Sequence, residues 1–284
     1  MLTRFAPSPT GALHLGHAYS AVLAHDMARA AGGRFRLRID DIDGSRSREE
    51  HHAAALADLA WLSLDWDGEP VRQSHRLNDY AAALDDLRLR DLVYPCFCTR
   101  ADIAASLSAP HGPSGAVYPG TCRALGAAER EARLTEGEAH CWRLDMARSA
   151  ALAGPLAWEE QGQGLRAADP GAHGDVVLAR KDAPASYHLA STVDDAAMGV
   201  THVVRGADLI ASTDVHRLLQ ALLGLPTPCY RHHALVCGPD GRRLAKRDAA
   251  AALAALRYAG ADGAALAADL RAGRLPTGYS LRMP

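Results

Sequence analysis

The sequence predicts an α/β fold, in which strands and helices alternate along the chain. The run "LTRFAP" near the start and the run "RFRLRID" at residues 34–40 have the composition of short strands. The alanine-rich segment between them has the apolar spacing of a helix, and Gly32 and Gly33 favour a helix end just after it. Two more helical segments follow. This succession of strand, helix, strand and helix is typical of a parallel sheet of Rossmann type.

The spacing of apolar residues places the individual elements. We expect helices at residues 16–31, at "SREEHHAAALADLAWL" and at "RLNDYAAALDDLRLRDL". Residues 93–175 differ, because they contain "YPCFCTR", a loop rich in proline and glycine, and the glycine-rich "EEQGQGLR". We interpret them as an inserted subdomain between two halves of one domain, residues 1–92 and 176–248. The α/β pattern resumes at "DVVLARKD", and residues 249–284 form a short tail with room for about two helices.

Composition excludes several classes of protein. Hydrophobic residues make up 48% of the 284 residues, which is enough for a buried core. The net charge of −2 gives no overall positive field, although a local basic groove is compatible with it. No stretch approaches the ~18 apolar residues of a membrane span, and the first residues lack the apolar region of a secretory signal. We therefore expect a cytoplasmic protein. We also expect a monomer, although composition does not bear on oligomeric state.

Two histidines stand where the first strand gives way to the first helix, in "APSPTGALHLGH". The N-terminus of a helix at this edge of a parallel sheet directs unpaired N–H groups at anions. Gly16 permits close approach of a nucleotide, and His14 and His17 can donate hydrogen bonds to phosphate oxygens. The motif predicts an ATP site. The alternative is a surface turn that happens to contain two histidines.

A basic segment near the other end of the chain, "GPDGRRLAKRD", favours the ATP site over the surface turn. Of 31 lysine and arginine residues, only Lys181 and Lys246 are lysines, so a retained lysine suggests a need for a compact ammonium group. A loop that presents cations to a triphosphate would stabilise the charge on departing pyrophosphate. The alternative is a solvated hairpin tip.

Several segments together resemble one family. "RFAPSPTGALHLGH", "LRIDDID", "YHLASTVDD", "VVRGADL" and "RLAKR" resemble the glutamyl class I aminoacyl-tRNA synthetases along nearly the whole chain. The resemblance implies a Rossmann-type catalytic domain that uses ATP and Mg²⁺ to activate L-glutamate as glutamyl-adenylate. It implies catalytic roles for His14, His17 and Lys246. The implied ATP-binding residues are His14, Gly16, His17, Arg243 and Lys246.

The resemblance also implies a glutamate site. Glutamate has two carboxylates and one ammonium group, so its site needs two cationic forks and an acidic or hydroxyl acceptor. Arg4 matches the arginine that faces the side-chain carboxylate, with the Tyr187 hydroxyl beside it, and Arg205 matches the arginine near the α-carboxylate. Ser8 and Asp40 match the residues that hold the α-ammonium group. The intervening residues Phe5, Ala6 and Pro7 belong to the same implied site.

Three positions depart from the family pattern. The family usually has glutamate where Asp40 stands, and the shorter side chain reaches about one methylene less far. Arg243 replaces the first lysine of the loop, and Ala245 replaces its serine. These departures leave a slow or altered enzyme as an alternative.

Three of the six cysteines indicate a metal site in the inserted region. Cys96, Cys98 and Cys122 offer three thiolates, and tetrahedral zinc needs a fourth ligand. From chemistry alone His111 is the choice, whereas the resemblance implies Tyr118 and a zinc-bearing, acceptor-type subdomain. The alternative is buried free thiols. We interpret the other cysteines as small core residues: Cys141, Cys229 and Cys237.

Length narrows the resemblance within the family. Residues 249–284 are fewer than the ~50 that an independent domain usually needs, so we expect no anticodon-binding domain. The chain most resembles a shortened branch that transfers glutamate to queuosine in the anticodon loop of tRNA(Asp). Three alternatives stay open: a truncated synthetase that charges the 3′ end of tRNA(Glu), a small-molecule adenylyltransferase, and a non-catalytic RNA-binding relic.

Overall fold

Residues 1–99, 102, 117–181, 183–244 and 252–283 are described by a computed structural model of the chain. The strands are β1 (Leu2–Phe5), β2 (Arg34–Ile39), β3 (Val71–Arg72), β4 (Val93–Cys96), β5 (Cys141–Leu144), β6 (Ala157–Glu160), β7 (Gly164–Ala167), β8 (Val177–Ala179), β9 (His202–Gly206), β10 (Cys229–His233), β11 (Leu235–Cys237) and β12 (Ser280–Arg282). The helices are α1 (Leu15–Ala30), α2 (Glu49–Trp61), α3 (Leu77–Leu89), α4 (Ala127–Thr135), α5 (Met146–Ala153), α6 (Tyr187–Ala197), α7 (Ile210–Leu222), α8 (Leu253–Tyr258) and α9 (Gly263–Arg271).

The first half of the main sheet has the parallel arrangement that the sequence predicts. β1 pairs in parallel with β2, from Leu2 opposite Arg34 to Phe5 opposite Leu37, and β2 pairs in parallel with β3. Helix α1 connects β1 to β2, and its buried Val22 belongs to the same core as Phe35 and Leu37. The predicted parallel α/β fold is confirmed in this part of the chain.

The second half of the sheet lies directly beside the first. β10 is parallel to β9 on one side and to β6 on the other, and β7 pairs antiparallel with β6. The backbone N–H of Thr201 donates to the Leu2 carbonyl at 3.0 Å, and the Leu2 N–H donates to the Thr201 hydroxyl at 2.8 Å. These bonds join the β9 edge to β1, so the carboxyl ends of β1 and β9 open side by side.

The strands in and next to the inserted region join different sheets from those that the sequence predicts. β4, β5 and β8 form a small antiparallel sheet, so the strand in "DVVLARKD" belongs to the insertion and does not resume the parallel sheet. Conversely, β6 and β7, which lie inside residues 93–175, pair with the main sheet through β10. A short apolar strand has the same local pattern in either sheet, because long-range packing chooses its partner.

The described part of the tail, residues 252–283, contains two short helices, as expected from its pattern. Helix α9 buries Ala267 and Leu270 in the core that also contains α1. Leu253 begins α8 and donates from its backbone N–H to the Leu13 carbonyl at 2.8 Å, which ties the tail to the start of α1. Among the described residues, no helix combines the length and the apolar character that crossing a membrane requires.

Candidate active site

A cleft of about 490 Å³ opens at the carboxyl ends of β1 and β9, against the N-terminus of α1. It collects every described residue that the sequence assigns to ATP or glutamate: Arg4, Phe5, Ala6, Pro7, Ser8, His14, Gly16, His17, Asp40, Tyr187, Arg205 and Arg243. Lys246 and Ala245 lie outside the described residues. Segments distant in the sequence therefore converge on one concave site, which is the arrangement expected of a ligand site in this fold.

The two histidines are held by the first turn of α1. The backbone N–H of Gly16 donates to Nδ1 of His14 at 3.1 Å, and the backbone N–H of His14 donates to Nδ1 of His17 at 3.1 Å. Each side chain thus satisfies an N–H group that the helix itself leaves unbonded. Because Nδ1 accepts a hydrogen bond in both rings, the neutral tautomer carries its proton on Nε2. The rings line the cleft as Nε2 hydrogen-bond donors, with centroids 3.8 Å apart.

Gly16 is required by the ring of His14. A Cβ atom at this position would lie 3.0 Å from Cε1 and 3.1 Å from Nδ1 of that ring. Such contacts are tighter than those of most Cβ atoms, so a side chain here would push the imidazole out of place. Glycine between the histidines keeps the ring and the backbone close to the cleft.

Arg205 presents a cation whose described partners are all neutral. Its Nε donates to Nε2 of His232 at 3.1 Å, and Nη2 donates to the Thr213 hydroxyl at 2.6 Å. Nη1 donates to the Tyr187 hydroxyl and to Nδ1 of His216, each at 3.2 Å. Within the described residues, no carboxylate oxygen lies within 4.0 Å of this guanidinium group. The cleft therefore has a rigid guanidinium group with no directly paired carboxylate among the described residues, which suits a substrate carboxylate.

Arg4 is already paired with a carboxylate. Its Nε and Nη2 donate to the two oxygens of Asp195 at 2.9 and 3.2 Å, and Nη1 donates to the Val204 carbonyl at 3.4 Å. This partner distinguishes it from Arg205, although both arginines line the cleft. Sequence reasoning did not single out Asp195, which ends the quoted motif "YHLASTVDD".

A second buried arginine links this pair to Asp40. Arg38 is completely buried, donates to Asp40 from Nε at 2.7 Å and from Nη2 at 3.3 Å, and donates from Nη1 to Asp195 at 2.6 Å. Arg4, Arg38, Asp40 and Asp195 thus belong to one continuous network, which extends from Arg38 to Asp194 at 3.8 Å. Sequence reasoning missed Arg38 too, although it lies two residues before Asp40 and therefore shares its strand face.

Two carboxyl groups of this network have opposite pKa shifts. Burial raises the pKa of Asp40 despite the neighbouring Arg38. Burial also acts to raise the pKa of Asp195, but Arg4 and Arg38 outweigh it and lower the value. Asp195 is therefore firmly ionised between its two arginines, whereas Asp40 gains from a further positive charge in the cleft. A substrate ammonium group would supply that charge.

Arg243 lies at the mouth of the cleft and forms an ion pair with Asp208. It follows the turn at Gly238–Gly241, where the Asp240 carboxylate accepts from the backbone N–H of Arg242 at 3.0 Å. Arg243 is more than half exposed, so its ion pair is weak and can be exchanged for another anion.

The cysteine cluster lies in the inserted region. The sulfur atoms of Cys96, Cys98 and Cys122 are within 4.8 Å of one another. The Tyr118 hydroxyl lies 3.3 Å from the Cys96 sulfur and 3.6 Å from the Cys98 sulfur. It also accepts from the backbone N–H of Cys122 at 2.8 Å. The rival ligand His111 lies outside the described residues. Three thiols this close together are a donor set that fits tetrahedral zinc, and the Tyr118 hydroxyl is the described oxygen beside them.

The remaining cysteines partly match the expectation of core residues. Cys141 and Cys237 are buried, whereas Cys229 is half-buried. Cys141 lies opposite Cys96 in the β4–β5 pair and packs in the same apolar cluster as Tyr94 and Phe97.

Comparison with known proteins gives consistent similarities. The family described as "tRNA synthetases class I (E and Q), catalytic domain" matches residues 1–272. A protein named glutamyl-Q tRNA(Asp) synthetase from Rhodobacter capsulatus is 51% identical over 273 residues, covering 92% of this chain and 96% of that protein. A protein of the same name from Symbiobacterium thermophilum is 47% identical, covering 90% of this chain and 81% of that protein.

Solved structures show the same similarity. The structure of a glutamate tRNA ligase from Elizabethkingia meningosepticum in complex with its amino acid aligns with a TM-score of 0.74 at 28% identity. The alignment covers 88% of this chain and 52% of that chain, so this chain spans about half the length of that protein.

Proposed function

Because the chain belongs to the catalytic-domain family of the class I tRNA synthetases for glutamate and glutamine, we propose that it is the ligase that attaches glutamate to queuosine in tRNA(Asp). The names of its relatives support the substrates, and the cleft supports the first chemical step. In that step ATP converts L-glutamate to glutamyl-adenylate and pyrophosphate. Because tRNA is the second substrate, we propose a cytoplasmic location.

The observation that carries the proposal is the contrast between the two arginines of the cleft. Arg205 has only neutral partners among the described residues, whereas Arg4 is already balanced by Asp195. The α-carboxylate of an amino acid gives Arg205 the anion that it lacks, and the ammonium group complements Asp40. Because every amino acid has these two groups, the choice of a dicarboxylic amino acid depends on Arg4. Arg4 lines the same cleft and contributes its remaining edge and charge to the second carboxylate.

Adenylate formation needs positioning and charge neutralisation more than covalent help from the protein. The α-carboxylate oxygen of glutamate attacks the α-phosphorus of ATP in line. The new O–P bond forms as the bond from that phosphorus to the bridging oxygen breaks, and pyrophosphate leaves with the electron pair. Mg²⁺, which arrives with ATP, supplies further neutralisation of the phosphate charge.

The protein groups have separate roles in this step. His14 and His17 donate from Nε2 to phosphate oxygens, beside the N–H groups at the start of α1. Arg243 exchanges Asp208 for the triphosphate, and Lys246 stabilises the charge that develops on departing pyrophosphate.

Transfer to tRNA is an ester-forming step. Queuosine carries a cyclopentene ring with two adjacent hydroxyls, which is similar to the terminal ribose diol of a tRNA. One hydroxyl oxygen attacks the carbonyl carbon of the adenylate, the C–O bond to phosphate breaks, and AMP leaves while taking up the proton. The anticodon loop is single-stranded, so an extruded base can enter the cleft.

Zinc has a structural place in this proposal. Cys96, Cys98, Cys122 and Tyr118 would hold the ion and fix the loops of the inserted region. No step of the reaction requires it.

Glutamate-dependent exchange of labelled pyrophosphate into ATP tests the activation step. We expect exchange with L-glutamate and at most traces with L-aspartate or L-glutamine, in assays run with and without tRNA(Asp). Absence of exchange under both conditions would identify a non-catalytic RNA-binding protein. Exchange with an unrelated small acid would identify an adenylyltransferase.

A further inference from the structure

A buried pair of side chains lies behind Arg205, outside the residues that line the cleft. Glu160 ends β6 and is 2% exposed, and His232 on the adjacent strand β10 is 8% exposed. In the parallel pairing of β10 with β9, His232 lies opposite Arg205. Three neighbouring strands thus place a carboxylate, an imidazole and a guanidinium group in a row.

The hydrogen bonds in this row determine the tautomer of the imidazole. Glu160 accepts from the backbone N–H of His232 at 2.7 Å, and its other oxygen lies 2.7 Å from Nδ1 of His232. Arg205 donates from Nε to the opposite ring nitrogen, Nε2, at 3.1 Å. A carboxylate only accepts and a guanidinium only donates, so the proton lies on Nδ1 and Nε2 is bare. Burial, together with Arg205, lowers the pKa of His232 to about 4, which keeps the ring neutral.

This arrangement balances charge without blocking the cation. The carboxylate of Asp195 touches Arg4 directly and uses two of its nitrogens. Glu160, by contrast, reaches Arg205 only through a neutral ring bound to Nε, and the Thr213 hydroxyl and Tyr187 hydroxyl hold the other nitrogens. A substrate carboxylate at Arg205 therefore meets no directly bound competing anion among the described residues.

We propose that Glu160 is a positioning residue for the substrate: through His232 it fixes the plane of the Arg205 guanidinium group so that this group can receive a carboxylate of glutamate. The assignment of the ligand rests on the proposed function. The assignment of the tautomer rests on the hydrogen bonds alone.

Glu160→Gln tests the proposal with almost no change in volume. A glutamine amide can face Nδ1 of His232 with its oxygen, but its NH₂ group then opposes the backbone N–H of the same residue. In the opposite orientation NH₂ donates to Nδ1, which forces the proton onto Nε2 and opposes Arg205. Either orientation places two donors face to face, so glutamine cannot replace the carboxylate.

The kinetic result should be selective for glutamate. In glutamate-dependent pyrophosphate exchange we expect Glu160→Gln to raise KM for glutamate by about 10- to 100-fold, the scale on which outer hydrogen-bonding partners of a ligand-holding side chain act. We expect KM for ATP to change less than about twofold, because Arg205 is assigned to the amino acid, and kcat to change less than KM for glutamate, because the lost interaction mainly binds the substrate. The control is Glu159→Gln, which alters the exposed neighbour on the same strand and should leave all constants unchanged.

A double-mutant cycle separates positioning from general loss of structure. His232→Leu should raise KM for glutamate to a similar extent, and adding Glu160→Gln should have little further effect, because both act along one path to Arg205. Unchanged KM for glutamate in Glu160→Gln would overturn the proposal. A similar rise in KM for ATP, together with a fall in kcat and in melting temperature, would also overturn the proposal, since these changes would indicate a structural role only.

Histidine nitrogen NMR on the wild-type protein gives a test that does not depend on activity. With ¹⁵N-labelled histidine, and with the His232→Leu spectrum for assignment, we expect His232 to carry its proton on Nδ1. A proton on Nε2 would overturn the proposal. If the wild type shows the Nδ1 tautomer but no glutamate-dependent exchange, the proposed function fails while the arrangement of Glu160 and His232 stands.

Discussion

Replacing Arg205 by lysine keeps one positive charge in the cleft and removes the planar fork that carries it. The guanidinium group donates four hydrogen bonds within the protein, from three nitrogens, to His232, Thr213, Tyr187 and His216. A lysine ammonium has three donors on a single atom and cannot reach all four acceptors. The substrate carboxylate would then face a single, poorly held charge.

The size of the effect follows from the bond that is lost. A hydrogen bond to a charged group contributes about 1.5–3 kcal/mol, and a free-energy change of about 1.4 kcal/mol corresponds to a factor of ten. We therefore expect Arg205→Lys to raise KM for glutamate by about 10- to 100-fold. KM for ATP should stay within about twofold, because Arg205 is assigned to the amino acid and not to the nucleotide.

Glutamate-dependent pyrophosphate exchange, measured over a range of each substrate, gives both constants. The matched control is Arg36→Lys, an arginine on β2 that lies outside the cleft and donates to the Glu69 carbonyl at 3.4 Å. An unchanged KM for glutamate in Arg205→Lys would refute the assignment of this arginine to a carboxylate. A parallel rise in KM for ATP would indicate general damage to the cleft.

Three further predictions concern the nucleotide site and the cysteine cluster. Lys246→Ala should slow adenylate formation by about 10²- to 10³-fold in single-turnover experiments. Lys181→Ala, at the chain's other lysine, should not change this rate. Equal rates in Lys246→Ala and the wild type would remove the loop lysine from the mechanism. Purified protein should contain about one zinc ion per chain by elemental analysis. Cys96→Ser should lose the ion and have a lower melting temperature, whereas the control Cys229→Ser should retain the ion. A metal-free wild type would contradict the site. Gly16→Ala should raise KM for ATP about tenfold, because the new Cβ atom would lie 3.0 Å from the imidazole of His14. The melting temperature should stay level or rise, because alanine favours helices by up to about 1 kcal/mol relative to glycine. An unchanged KM for ATP would show that the ring does not bind the nucleotide.

Local pattern was sufficient for the first two strands and the first three helices, but it did not predict the short strand β3. Apolar spacing and the double glycine at residues 32–33 place α1 within one residue of its observed bounds. The composition of the two short runs predicts β1 and β2, and the second run also alternates with period two. It was harder to predict which sheet a given strand joins. The apolar strand β8 has no local feature that separates an antiparallel partner in the insertion from a parallel one in the main sheet.

In the candidate site, too, local pattern predicted some residues and missed others. Motif residues predicted part of the lining of the cleft, because each motif carries its own turn, helix start or strand end. Their partners were missed, since Arg38 and Asp195 are 157 positions apart and meet only in the folded chain. Glu160 was missed for a related reason: the only local sign is that it shares a strand face with the buried Trp158.

Transfer of glutamate to the anticodon loop is the claim that one measurement tests most directly. Labelled glutamate, ATP and enzyme would be incubated with tRNA(Asp) whose terminal adenosine lacks both ribose hydroxyls, in one preparation with queuosine and in another with guanosine at the same position. We predict rapid labelling of the queuosine-containing tRNA and little labelling of the guanosine-containing one. Loss of labelling on both end-blocked tRNAs, with charging restored on tRNA(Glu) that has an intact 3′ end, would contradict the account and assign the enzyme to ordinary tRNA(Glu) charging.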